Sequence, residues 1–219
     1  MSVPVQPLSY ALTAIVAYLI GSPPTGYLAG RMRGMDIRKH GSGNIGATNV
    51  FRILGRTAGI TVLILDALKG TLAVLATPAL VAALLGPDIP SGFLPVIAAL
   101  AVILGHNYTC WLGFQGGKGI ATSAGVLAAL VPTAGAIVIG LWIIVFLISR
   151  YVSLASITAA TALPLATWFT THDPTRAGLT CIVGGLAVWK HRPNIRRLLN
   201  GTENRFVRKP SPPKQTPSS

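Results

Sequence analysis

Between Lys118 and Arg150 the chain runs for 31 residues, Gly119 to Ser149, without one charged side chain. A soluble domain has nowhere to put several such stretches, because water tolerates only small exposed apolar patches. A single helix of this length would measure about 46 Å, well beyond a bilayer hydrocarbon core of about 30 Å. Pro132-Thr133 falls near its middle, so two short helices joined by a tight turn are predicted. Further apolar runs cover about 8–30 (broken by Gly21-Ser22-Pro23-Pro24), 57–85, 92–108, 151–171 and 176–190. Hydrophobic residues make up 51% of the 219, and charged residues 11%, against about 25% in soluble domains. The expected fold is all-α: a polytopic membrane helix bundle of about seven transmembrane helices. Intrinsic disorder, coiled coil, collagen and a disulfide scaffold are excluded by composition. The two cysteines, Cys110 and Cys181, are expected to be small buried apolar residues.

The net charge of +13 is unevenly distributed. With seven spans, Arg31, Arg33, Arg38, Lys39, Arg52, Arg56, Lys118, Arg150 and the basic residues from Lys190 onward all fall on one side. That side holds 16 of the 18 basic residues; Arg176 falls opposite and Lys69 lies within a span. The positive-inside rule then puts the N-terminus outside and the C-terminus in the cytoplasm. No basic residue precedes the first apolar run, so this helix is expected to be retained, not cleaved as a signal peptide. Residues 1–203 read as a single integral membrane domain. Residues 204–219, basic and rich in Pro and Ser, read as a disordered cytoplasmic tail. Charge placed beside spans fits anionic lipid or an anionic substrate, and no nucleic acid is expected as partner.

Three polar clusters share the cytoplasmic side. In the first, His40 to Arg52, Gly41, Gly43 and Gly46 let backbone N–H groups approach an anion, while Ser42, Asn44, Thr48 and Asn49 add hydrogen bonds. Arg52 lies one turn beyond Thr48 and suits bidentate phosphate recognition. An ordinary Gly-rich turn entering a helix would read the same way. The second cluster is Gly105-His106 followed by Gly113 to Thr122, with Lys118 as a point charge. It is not a Walker A loop: Leu112 stands where Gly is required and Gly119 follows the lysine. The third runs from His191 to Glu203; His191 and Asn194 would share a helix face. Asp66 and Lys69, three apart inside an apolar run, can pair or line a polar cavity. Ser153 and Ser156 can line that cavity or bond backbone. His106 reads as a ligand or a hydrogen-bonded structural histidine.

No H-E-x-x-H, G-x-S-x-G or carboxylate pair is present, and no histidine is followed five residues on by aspartate. Five carboxylates in all argue against a divalent metal centre. No cofactor is expected. Three classes fit such a site: an enzyme acting on anions, a transporter of phosphorylated solutes, or a lipid-binding membrane protein. A transporter needs polar residues along a path to the outside, and here they are confined to one face.

The three clusters together resemble the bacterial acyl-phosphate:glycerol-3-phosphate acyltransferases, the PlsY family. Gly41-Ser-Gly-Asn-Ile-Gly-Ala-Thr-Asn49 with Arg52 carries the first part of the resemblance. Gly105-His106 with Gly116-Gly-Lys-Gly-Ile-Ala-Thr122 carries the second. His191-Arg-Pro-Asn194-Ile-Arg-Arg-Leu198 with Gly201-Thr-Glu203 carries the third. The likeness spans about Gly21 to Glu203; Thr109-Cys110 and Gln115 depart from the commoner pattern. It implies transfer of an acyl group from a fatty acyl phosphate to the 1-hydroxyl of sn-glycerol 3-phosphate at the inner membrane, on its cytoplasmic side. It implies that Ser42, Gly43, Asn44, Gly46, Thr48 and Asn49 hold acyl phosphate. Arg52, Lys118, Ser156 or Ser153, His191 and Asn194 would hold glycerol 3-phosphate. His191, Lys118, Arg52 and Ser42 would form the catalytic group, with Glu203, Asp66, Lys69 and His106 in support. The base is either His191 or a phosphate oxygen of the substrate.

Overall fold

The computed structural model describes residues 5–86, 89 and 91–206. Among these residues ten α-helices follow one another: α1 (Val5–Gly21), α2 (Thr25–Arg31), α3 (Ala47–Leu54), α4 (Arg56–Leu85), α5 (Leu94–Asn107), α6 (Ile120–Leu130), α7 (Pro132–Ser149), α8 (Val152–Thr171), α9 (Pro174–Lys190) and α10 (Arg192–Leu199). Among the described residues there is no strand. The long uncharged run divides as expected: α6 ends before Val131 and α7 opens on Pro132. Proline suits a first helical position, where its missing N–H would have had no partner anyway. The Ser22-Pro23-Pro24 break likewise separates α1 from α2.

All the apolar runs are helical, but the helices differ in length. Arg56–Leu85, Leu94–Leu112, Pro132–Ser149 and Val152–Thr171 are long and apolar enough to cross a membrane. The 11-residue α6 is only about 16 Å long and cannot cross alone. The outer faces are oily: Leu68, Leu72 and Leu75 on α4, Ile144, Leu147 and Ile148 on α7, and Leu165 and Phe169 on α8 are exposed. Lipid, not protein, covers such faces. The same reasoning corrects the expectation for the cysteines. Cys110 and Cys181 are both exposed, because apolar character in a bilayer protein does not select the protein interior.

Inside, small residues let helices approach. Gly70 of α4 faces the backbone of Thr122, and Gly125 of α6 faces that of Ala67, so neither position has room for a Cβ. Gly21 and Gly105 make the same reciprocal fit between α1 and α5. The main core runs through Ala73, Ala98, Val102, Val126, Ala134, Leu163 and Val183. A second core of Ile37, Ile45, Val50 and Val62 lies under the first Gly-rich loop and ties it to α4. Helix pairs α1–α5, α4–α6, α7–α8 and α8–α9 make up the bundle.

Candidate active site

One cavity of about 510 Å³ opens at the end of the bundle where the three clusters meet. Its polar wall contains Ser42, Asn44, Gly46, Thr48, Asn49, Arg52, Lys118, Ser153, Ser156, His191, Asn194 and Glu203, together with Asp66 and His106. Segments up to about 160 residues apart in sequence thus converge, as helix ends on one side of a bundle can. Gly43 lines an adjoining cavity shared with Ser42, Asn44, Lys118, Lys190, Arg192 and Arg197. Lys69 lies behind the site and lines neither.

The first loop is built by its own side chains. Gly41 and Gly43 take φ of 60° and 72°, a region that favours glycine. The Asn49 carboxamide, 2% exposed, accepts from Ser42 N at 2.9 Å and donates to His40 O at 3.0 Å and Ile37 O at 3.4 Å. Neither of its N–H bonds is left for a ligand, so Asn49 braces the loop instead of donating to phosphate. Asn44 Oδ1 accepts from Gly46 N at 2.8 Å and turns the chain into α3. The first N–H groups of α3 have no intrahelical acceptor and make that end attractive to anions.

The second loop is pinned to the end of α5: Gly116 N donates to Asn107 O and Gly117 N to His106 O, both at 3.1 Å. This directs Lys118 at Asn194 Oδ1, to which its ammonium donates. Burial pushes the Lys118 ammonium down to about 8; Glu203 works against that, while Arg197, Lys190 and Arg52 add to it.

Glu203 organises the third cluster. Its Oε1 accepts from Ser153 Oγ at 2.8 Å and Asn194 Nδ2 at 2.7 Å, and its Oε2 from Arg197 Nε at 2.7 Å. Burial opposes its ionisation, but the bonds from Asn194, Ser153 and Arg197 outweigh it and hold the carboxyl below its ordinary value. Arg197 thus pairs with Glu203 through Nε while lining the adjoining cavity. The contact of His191 Nδ1 with Ala187 O at 2.8 Å makes Nδ1 the protonated nitrogen, which leaves Nε2 as an acceptor. Burial, followed by the Lys118 charge, pushes this imidazole down to about 4. Ser156 donates to Val152 O at 2.8 Å and accepts from Trp142 Nε1 at 3.1 Å. Both serines line the cavity; Ser156 also bonds backbone, whereas Ser153 bonds the Glu203 side chain.

Behind the loops, Asp66 Oδ1 takes the Lys69 ammonium at 2.8 Å and the Thr25 hydroxyl at 2.6 Å, with His106 Nδ1 at 3.6 Å. The intramembrane pair is satisfied, and His106 is structural in its contacts while its ring borders the cavity.

Sequence reasoning missed the apolar part of the lining: Phe51, Ile60, Leu63, Trp142, Phe146 and Phe206. It also counted Arg56 only as a loop charge, although Arg56 lines the cavity. Trp142 and Phe146 sit in the uncharged run, where nothing separates a cavity-facing ring from a lipid-facing one. Phe51 was within the first cluster, adjacent to Arg52, and was the one available signal.

The glycerol-3-phosphate acyltransferase family model matches residues 11–201. The glycerol-3-phosphate acyltransferase of Geobacter sulfurreducens is 48% identical over 202 residues, 91% of this chain and 98% of that one. That of Thermosynechococcus vestitus is 44% identical over 200 residues, 89% and 94% of the two chains. The chain is also similar to the crystal structure of PlsY (YgiH), an integral membrane glycerol 3-phosphate acyltransferase, in its glycerol 3-phosphate form. The TM-score is 0.80 at 39% identity, covering 91% of this chain and 96% of that one. The lysophosphatidic acid form of the same protein gives 0.79.

Fold and site together define an integral membrane acyltransferase, a helical bundle with an amphiphilic cavity at one end. Within that class, the chain belongs to the glycerol-3-phosphate acyltransferase family, the PlsY family.

Proposed function

We propose that the chain transfers an acyl group from a fatty acyl phosphate to the 1-hydroxyl of sn-glycerol 3-phosphate, releasing 1-acyl-glycerol 3-phosphate and phosphate. This is the first acylation of bacterial phospholipid synthesis. The observation that carries the reading is the mixed lining of one cavity. Residues of two anion-type loops, with Arg52, Arg56 and Lys118, line it together with aromatic and aliphatic side chains, which suits a phosphate head joined to an acyl chain. The glycerol 3-phosphate and lysophosphatidic acid forms of one relative, PlsY (YgiH), support the acceptor and the product.

In this reading Ser42, Gly43, Asn44, Gly46 and Thr48 hold the acyl phosphate on a loop braced by Asn49. Arg52, Lys118, Ser153, Ser156, His191 and Asn194 hold glycerol 3-phosphate. Cations and N–H groups offset the repulsion between two phosphates, and alignment supplies much of the rate. The 1-hydroxyl oxygen attacks the acyl carbon, the bond from that carbon to the phosphate oxygen breaks, and phosphate departs. His191 Nε2 accepts the hydroxyl hydrogen and orients it. The proton leaves for one of the two acceptors that the filled site offers, His191 Nε2 or a phosphate oxygen of the substrate. No cofactor or metal takes part.

The enzyme lies in the bacterial inner membrane with its active site towards the cytoplasm, the N-terminus outside and the tail inside. The folded part continues at least to Phe206, whose N–H donates to Arg150 O at 2.8 Å; the disorder expected for the rest of 204–219 falls on residues outside those described. Purified protein given a long-chain acyl phosphate and glycerol 3-phosphate should release phosphate and 1-acyl-glycerol 3-phosphate in equal amounts. Absence of acylated product, or acylation mainly at the 2-hydroxyl, would refute the assignment.

A further inference from the structure

We propose that Phe206 is an acyl-chain positioning residue: its ring completes the apolar wall against which the donor's chain lies next to the reacting carbonyl, and shields that carbon from water. The family model ends at residue 201, so the segment carrying Phe206 lies outside the part matched to the family. It is nevertheless firmly held. Glu203 is fixed by Ser153, Asn194 and Arg197. Arg205 Nε donates to Ser149 O at 3.3 Å, and its guanidinium sits over the Tyr151 ring at 5.6 Å. The Phe206 N–H bonds Arg150 O.

These ties bring the Phe206 ring between two helices. Its centroid is 5.3 Å from that of Phe51 on α3 and 5.7 Å from that of Phe146 on α7, which in turn stacks on Trp142 at 5.1 Å. All four rings line the catalytic cavity. The separations are those of favourable aromatic pairs. Only Asn204 and Arg205 separate Glu203, which holds polar lining residues together, from Phe206, which belongs to the apolar lining. The border between phosphate-binding and chain-binding halves therefore passes beside this segment, and that is where an acyl carbonyl bound across both halves must sit. Water reaching it would attack the acyl carbon, break its bond to the phosphate oxygen, and leave fatty acid, with the water proton on the departing phosphate. A dry wall suppresses that loss.

The inference rests on the acyl-phosphate reading, so wild-type turnover of a long-chain acyl phosphate is measured first. If the wild type prefers another donor, the donor reading fails and the comparison below is made with the donor that it uses. Phe206→Ala should raise KM for the acyl donor about tenfold, the loss of one well-packed ring, while KM for glycerol 3-phosphate stays near the wild-type value. The ratio of free fatty acid to lysophosphatidate should rise several-fold. Phe206→Leu, which keeps apolar bulk, should recover most of both, and the thermal midpoint in detergent reports folding separately. Equal changes in both KM values, a changed midpoint with unchanged kinetics, or an unchanged product ratio would overturn the proposal.

Discussion

Glu203 reaches the chemistry only through others, and that makes its replacement informative. Its charge supports Lys118, whose ammonium burial pushes down to about 8 even with that support. The protonated lysine is the phosphate-binding form, so kcat/KM for glycerol 3-phosphate should fall as pH rises through about 8. Lys118→Arg should remove that alkaline limb from whatever activity it retains. Glu203→Gln withdraws the supporting charge, so the limb should move to lower pH; an unmoved limb would show that Lys118 does not govern it. At Arg52, replacement by Lys keeps the charge and loses the fork. A fall of about thirtyfold in kcat/KM is expected, the worth of one charged hydrogen bond, with the protein still folded. Near-normal turnover would mean that Arg52 merely anchors the loop. At this scale the polar wall was legible because phosphate chemistry needs recognisable residues: Ser42, Arg52, Lys118, His191 and Asn194 all meet in one cavity. The role of Asn49 was not. A carboxamide that braces a loop and one that binds a ligand have the same letter, and only its bonds to His40, Ile37 and Ser42 separate them.

Among the elements, the crossing of α4 and α6 has the least tolerance. Gly125→Ala would press a methyl group onto the Ala67 backbone, an overpacking cost of about 1–3 kcal/mol. Gly140 on α7 has nothing within 4 Å of such a methyl. Gly125→Ala should thus lower the thermal midpoint in detergent by several degrees, and Gly140→Ala should leave it in place. Equal effects would deny the close fit. The break between α6 and α7 was readable from Pro132 and from the excess length of the run. The shortness of α6 was less visible, because an apolar stretch announces burial in lipid or protein without saying how far a helix travels. The aromatic wall escaped for the same reason: Trp142 and Phe146 look like any other lipid-facing residues until α3 and the segment after α10 close over them.

For the whole molecule, the partition of basic residues and the convergence of all three clusters at one end of the bundle make a single prediction about orientation. In a background with Cys110 and Cys181 replaced by serine, a cysteine at Thr175 should react with an impermeant reagent on intact cells. One at Asn200 should react only after the membrane is opened; the reverse pattern would invert the topology. A compact cavity with Gly-rich loops suits a small anionic leaving group, and charge building on departing phosphate would be stabilised by Lys118 and the Ser42–Thr48 backbone. The direct measurement is a competition: purified enzyme, glycerol 3-phosphate, and equal concentrations of a long-chain acyl phosphate and the corresponding acyl-CoA, the two acyl groups carrying different isotopes. The lysophosphatidate formed should bear only the acyl-phosphate isotope, and added inorganic phosphate should reduce turnover. Product carrying the acyl-CoA isotope in comparable amount would contradict it.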